Sequence, residues 1–282
     1  MMAKLKEQVG ELFMVGYPGT DPMAASELIC RYRVGGIILF SRNVKDAAHA
    51  RAVCEKLHEL RRSVSDTPLF IAIDQEGGAV ARITDGVTVF PGNMALGATG
   101  SERFAREAGR ITANELASLG INVNFAPVLD ISSNPRNPGV GARSFGSDPA
   151  LVARLSSAML EATQESGLCA TAKHFPGLGE AQVDSHNELP AVDATVEDMQ
   201  QRELVPYRSA IEAGVAFIMT AHCSYPRLDN SGAPATLSQP ILTNLLREQM
   251  GFKGIVITDC LEMAAVEKAL AGRTAWGAAR GN

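Results

Sequence analysis

The feature that most constrains this chain is a period. Seven short apolar runs, each followed by a helical pattern, alternate strictly along 282 residues. The runs cover residues 12–16, 35–40, 69–73, 123–129, the stretch ending at Lys173-His174, 216–221 and 254–258. Between them, residues 22–33, 46–62, 101–119, 149–166, 196–213 and 238–250 read as helices, and 261–270 opens another. Gly35-Gly-Ile-Ile-Leu-Phe40 is apolar without interruption, the signature of a strand buried on both faces. Residues 46–62 place Ala47, Ala50, Val53, Cys54, Leu57 and Leu60 at three- and four-residue spacing, one stripe of a helix. Strict alternation of this kind predicts a parallel sheet with helical crossovers.

Polar residues decide whether that sheet is open or closed. Asp74, Asp130, Lys173-His174, His222 and Asp259 each stand where a strand stops. An open doubly wound sheet gathers its ligands at one switch point, whereas a closed barrel collects them from most of its strands onto one face. The spread predicts an α/β protein with a TIM-type (β/α)8 barrel. Such a barrel needs roughly 250 residues, so residues 1–282 are expected to form one domain, and neither a linker nor an internal repeat divides them. Eight strands close a barrel, yet residues 271–282 hold no β-branched apolar run. The expectation is an incomplete barrel with the eighth β/α unit missing, a truncated or frame-altered form of a longer protein. Its first and seventh strands would carry unpaired edges.

Composition narrows the function classes. A net charge of −5 gives no basic footprint for nucleic acid. No apolar run approaches the ~20 residues of a membrane span, and the N-terminus lacks the apolar core of a signal peptide. A soluble cytoplasmic protein without membrane contacts is expected. The five cysteines are odd in number, widely spaced and free of any Cys-x-x-Cys pair, which argues against a disulfide framework or a zinc knuckle and suits a reducing compartment. Gly139-Val-Gly141 lacks the strand-then-helix context of a nucleotide fingerprint. His174, His186 and His222 with Asp259 have the chemistry of metal ligands. Barrel metallohydrolases usually carry a His-x-His on an early strand, and here the first strand ends in Gly-Tyr-Pro. Neither a metal nor an organic cofactor is expected.

The stretch from Thr171 to Asn187 carries the densest chemistry. A strand ends in Lys173-His174, Pro176, Gly177 and Gly179 break it into a loop, and Asp184 and His186 follow two residues apart. A carboxylate so placed can orient and charge an imidazole for proton transfer near neutral pH, although a polar loop bonding to itself has the same composition. Asp259 suits a carboxylate at the barrel mouth, and equally a helix N-cap. Asp74 and Arg82 flank a Gly-Gly turn and suit either a site or a structural ion pair, which contributes little if exposed. Arg143, in a Gly/Pro loop, suits an anion or a sugar hydroxyl, or simple solvation.

Six motifs in this order resemble glycoside hydrolase family 3, in its bacterial β-N-acetylhexosaminidase branch. They are Asp74-Gln-Glu-Gly-Gly78, Asn124-Phe-Ala-Pro-Val-Leu-Asp130, Arg143-Ser-Phe-Gly-Ser-Asp-Pro149, Lys173-His-Phe-Pro-Gly177, Asp184-Ser-His186 and Thr258-Asp259-x-Leu-Glu-Met263. The resemblance runs from about residue 8 to 270. It implies Asp259 as the nucleophile of a retaining reaction, His186 as general acid/base and Asp184 as its polarising partner. Asp74, Arg82, Arg143, Lys173 and His174 would hold an N-acetylglucosamine unit. It further implies a small carbohydrate substrate released from peptidoglycan-derived muropeptides during cell-wall recycling. Ala79 and Leu178 depart from residues common in the family, which touches substrate detail rather than mechanism. Three other readings stay open: a phosphorylase working through the same covalent intermediate, an inactive sugar-binding fragment, and a metallohydrolase.

Overall fold

The computed structural model describes residues 8–181 and 189–266. Asp184 and His186 lie outside the described residues. Seven strands form one sheet in the order of the sequence, every neighbouring pair parallel. They are β1 (Met14–Val15), β2 (Gly36–Leu39), β3 (Phe70–Ile73), β4 (Val123–Asn124), β5 (Cys169–Phe175), β6 (Phe217–Thr220) and β7 (Ile255–Thr258). Sequence-ordered parallel strands with helical crossovers are the TIM-type arrangement, and the described residues supply seven of its eight strands.

One contact shows that the sheet is curled. In a flat sheet β3 and β6 would stand three strand spacings apart, about 14 Å. The rings of Phe70 on β3 and Phe217 on β6 nevertheless meet edge to face with centroids 5.4 Å apart. Inward-facing Ala72, Val123, Phe125, Phe217 and Met219 fill the space, with Met14, Ile38, Cys169 and Ile257 against them, so all seven strands contribute to one interior cluster. Gly36 makes room for this packing, since a Cβ there would stand 2.7 Å from the Met14 side chain and 3.1 Å from that of Phe70.

Outward-facing residues bury the helices. Ile37, Leu39, Ile71 and Ile73 pack against Val53, Cys54 and Leu57 of helix Ala47–Arg62. Ala170, Ala172 and Ile218 pack against Leu160, Leu204, Tyr207 and Ile241 on the other side. Helices Glu102–Ser118 and Pro149–Glu165 begin as their sequences require. Ser101 and Asp148 accept hydrogen bonds from Phe104 N and Ala150 N, and Pro149 opens the second helix.

Several expected elements differ in extent. The strands predicted over 12–16 and 123–129 shorten to Met14–Val15 and Val123–Asn124, with a single further bridge at Val128 to Lys173. Pro127 cannot donate to a ladder, and the pairing is interrupted there before Val128 and Leu129 meet Lys173 again. The helix predicted over 22–33 begins as a 3-10 turn, Pro22–Ala25, capped by Asp21, and continues as Ser26–Cys30. That predicted over 196–213 divides at Arg202 into Val196–Gln201 and Leu204–Glu212. The segment over 238–250 forms a π-type helix, Pro240–Gln249. Helix Asn93–Thr99 has no counterpart in the sequence reading. It packs its Gly97 so tightly that a Cβ would lie 1.7 Å from the carbonyl oxygen of Phe145.

That contact gives a prediction with an unusual sign. Helix propensity favours alanine over glycine by about 1 kcal/mol, yet Gly97→Ala should destabilise the protein by about 1–3 kcal/mol through overpacking. Urea unfolding measures the difference, and a more stable variant would contradict the packing described.

Candidate active site

The strand ends converge as the polar residues predicted. The backbone leaves β3 at Asp74 and turns at once through Gly77 and Gly78, whose φ values of 91° and 58° suit glycine. The turn is clamped by Glu76 N and Gly77 N donating to Val80 O and by Gly78 N donating to Phe90 O. Gln75 fixes the returning strand, accepting from Arg82 N and Ile83 N and donating to Ile83 O, while Asn124 exchanges two hydrogen bonds with the Gln75 backbone. Arg82 is thereby carried back beside Asp74, its Nη2 3.4 Å from Oδ2.

Lys173 arrives from β5, buried, and its Nζ lies 2.7 Å from Asp74 Oδ1 and 2.6 Å from Glu76 Oε1. Arg143 ends a 3-10 turn, Gly141–Arg143, and meets Glu76 through two parallel bonds of 2.8 Å while donating to Gly139 O. The fork-on-carboxylate geometry is the strong form of such a pair. Three cations therefore face two carboxylates, and the balance sets their protonation. Burial opposes ionisation of Glu76, but Lys173 and Arg143 overcome it and hold its carboxyl down at about 2. Lys173 is pushed up: burial disfavours its charge, and Asp74 and Glu76 outweigh that. Glu76, Lys173 and Arg143 are charged at neutral pH, and the cluster presents donors and acceptors to a polyhydroxylated ligand. Arg82 Nε has no hydrogen-bond partner among the described residues.

His174 faces the other way. Its Nδ1 lies 2.7 Å from Asp130 Oδ2. Asp130, fully buried, also accepts from His174 N and Leu178 N. This leaves His174 Nε2 directed at Asp259, 3.9 Å from Oδ2. Asp259 stands immediately after β7 with its side chain 27% exposed, and Oδ1 accepts from Cys260 N at 2.7 Å. Burial works against its charge, but His174, His222 and the Cys260 amide prevail and keep the carboxyl below the usual carboxylate range. Among the described residues, no group of three or more His, Cys, Asp or Glu side chains is arranged to hold a metal ion.

The structure thus brings Asp74, Arg82, Arg143, Lys173, His174 and Asp259 together at one mouth. Asp184 and His186 lie outside the described residues. Sequence reasoning gave no role to Glu76, the hub of the charge cluster. Its signal was available, because it follows Asp74 by two residues and so falls on the same face of an extended chain. Asp130 was noted as a strand end without a task, and its partner is His174. Leu178 contributes its amide to Asp130, which any residue but proline supplies, so its departure from the family pattern leaves this contact intact. Asn137 stitches the loop over 132–148 to that after β5, donating to Leu178 O and Gly179 O and accepting from Gly139 N and Val140 N.

Comparison with known proteins agrees with this geometry. The glycosyl hydrolase family 3 N-terminal domain matches residues 4–279, and the chain belongs to that family. A β-hexosaminidase A from Pseudoalteromonas piscicida is 44% identical over 263 residues, covering 88% of this chain and 44% of the relative. A β-hexosaminidase from Thiobacillus denitrificans is 41% identical over 237 residues, covering 82% of this chain and 64% of that one. The chain therefore spans between about half and two thirds of these relatives. Among solved structures, a glycoside hydrolase family 3 β-N-acetylglucosaminidase from Paenibacillus superposes with a TM-score of 0.91 at 47% identity, over 94% of this chain and half of the other. NagZ from Neisseria gonorrhoeae gives 0.82 at 33% identity, over 89% of this chain and 74% of its own.

Removing the charge of Glu76 should expose how much rests on it. Glu76→Gln leaves buried Lys173 and half-buried Arg143 without their shared anion and is expected to cost about 3–5 kcal/mol in thermal or urea unfolding. The wild-type contribution is fully present above pH 4.5, the ordinary value, and is lost as pH falls towards about 2. The variant's stability should therefore depend less on pH over that window, and an equal dependence would refute the assignment.

Proposed function

We propose that this chain is the catalytic barrel of a retaining β-N-acetylglucosaminidase, which removes terminal non-reducing N-acetylglucosamine from a small carbohydrate. The observation that carries the reading is the placement of Asp259. An ionised carboxylate, pinned at one oxygen by the following amide, stands at the strand-end face 3.9 Å from Nε2 of His174, the residue next to Lys173 of the charge cluster. The names of the relatives point the same way, as does a structure of the Neisseria gonorrhoeae enzyme described as a complex with N-trifluoroacetyl-D-glucosamine.

In this reading Asp74, Arg82, Arg143, Lys173 and His174 hold the sugar. Asp259 attacks the anomeric carbon as the glycosidic C–O bond breaks, and the leaving oxygen takes a proton from His186. Water then attacks the same carbon, His186 recovers a proton, and the bond to Asp259 breaks. Two inversions give net retention. The roles of His186 and of Asp184 as its polarising partner rest on the Asp-Ser-His motif. An imidazole suits the task because its proton is labile near neutral pH. The substrate is a peptidoglycan-derived muropeptide and the compartment is the cytoplasm, both inferred from the family resemblance.

Two measurements test this. With an aryl β-N-acetylglucosaminide, Asp259→Asn should abolish turnover while its circular dichroism melt stays cooperative, and unchanged activity would remove the nucleophile assignment. Proton NMR of the wild-type reaction should show the β-anomer of free N-acetylglucosamine first. An α-anomer would exclude the covalent route, and sugar-1-phosphate in phosphate buffer would make the chain a phosphorylase.

A further inference from the structure

His222 lies at the end of β6, 1% exposed, and has no part in the reaction just described. The parallel register pairs Thr220 with Thr258, which places His222 beside Cys260 across the β6–β7 pair. Its Nε2 lies 3.0 Å from the Cys260 carbonyl oxygen, and its Nδ1 lies 2.7 Å from Thr236 Oγ1 in the 3-10 turn Ala235–Leu237. A carbonyl only accepts, so Nε2 carries a hydrogen. The state of Nδ1 depends on Thr236, whose hydroxyl also lies 2.9 Å from Thr220 Oγ1 and 3.1 Å from Ala221 O.

A threonine hydroxyl has one hydrogen to give, so two proton arrangements compete. In one, an imidazolium donates through Nδ1 to Thr236, which donates on to Ala221 O. In the other, a neutral ring accepts from Thr236 at Nδ1, the shorter of the two contacts, Thr236 accepts from Thr220, and Ala221 O is left without that hydrogen. Burial disfavours the imidazolium and outweighs the nearby Asp259 charge, so the His222 pKa is lowered. The neutral arrangement follows. It is a directed chain from the Thr220 hydroxyl through Thr236 and His222 to the Cys260 carbonyl.

Cys260 is therefore held at both ends, its carbonyl by His222 and its N–H by Asp259 Oδ1 at 2.7 Å. We infer that His222 is a positioning residue for Asp259, acting through the Cys260 backbone as an Nε2-protonated imidazole whose tautomer is set by Thr236. The inference rests on the reading of Asp259 as the nucleophile for its kinetic consequence, but not for its structural one. Beside Asp259 stand His174, Lys173 and the Cys260 amide as well as His222, and beside His222 stand Asp259 and His174.

The test has a structural and a kinetic arm. Nitrogen-15 NMR of histidine-labelled wild type at pH 7 should show His222 neutral with the proton on Nε2, and a Nδ1-protonated or charged ring would overturn the inference. Carbon-13 titration of the Asp259 carboxyl, assigned by its absence in Asp259→Asn, should show its pKa higher in His222→Phe than in wild type. The sign follows because the Cys260 amide, which His222 holds in place through the Cys260 carbonyl, favours the anion. With an aryl β-N-acetylglucosaminide, His222→Phe should lower kcat about ten- to a hundred-fold, as misplacement of a reacting group does. KM should stay within about two-fold, and the acid limb of kcat/KM should move to higher pH. His222→Gln keeps a donor near the Nε2 position and should recover most of the loss. If His222→Phe does not fold, Thr236→Val is expected to show the same shifts in smaller measure, with Thr236→Ser close to wild type. A folded variant with wild-type kcat, acid limb and Asp259 titration would sink the proposal. If wild type itself turns over no substrate, the nucleophile reading fails while the two NMR measurements still decide the role of His222.

Discussion

The ammonium of Lys173 is the point from which the rest of the site is measured. It is buried at the end of β5 and lies against Asp74 and Glu76, which extend from β3. An isolated ion in that position would be driven to lose its charge. Two carboxylates keep it charged, and Glu76 in turn fixes the Arg143 fork. Three segments far apart in sequence are thus set by one electrostatic balance. Breaking such a balance is costlier than never building it, so the cluster holds the geometry of the mouth more firmly than loop packing alone.

Much of this was legible before any coordinates. The alternation of apolar runs and helical stripes defined the crossovers, and polar residues at successive strand ends defined the face on which the site would form. Asp74, Arg82, Arg143, Lys173, His174 and Asp259 all lie there. The partners of these residues were less legible. Lys173 meets Glu76 across the intervening β4, and His174 meets Asp130 where β5 runs beside the chain that follows β4, so both pairings depend on strand order and register that no local pattern reports. Thr236 is out of reach for a similar reason. It lies in a short turn between β6 and a helix, and nothing in Pro-Ala-Thr-Leu marks a hydroxyl that bonds a histidine fourteen residues earlier.

The errors in element boundaries have their own physics. Helix propensity has no way to register the close approach of Gly97 to the Phe145 carbonyl, so nothing in the sequence marked Asn93–Thr99 as a helix. The predicted fourth strand ran too far because Val128-Leu129 is apolar. Those residues are buried and meet β5 through one isolated bridge, Val128 to Lys173, rather than through a continuous ladder. Apolar character reports burial, and burial does not require an unbroken strand.

The aromatic pair beneath the site has a consequence for traffic. Phe70 and Phe217 meet inside the curled sheet at the start of their strands, while the charged groups lie at the strand ends. Side chains from all seven strands fill the interior below Lys173, so the path along the bore is blocked and traffic to the charged groups runs over the strand-end face.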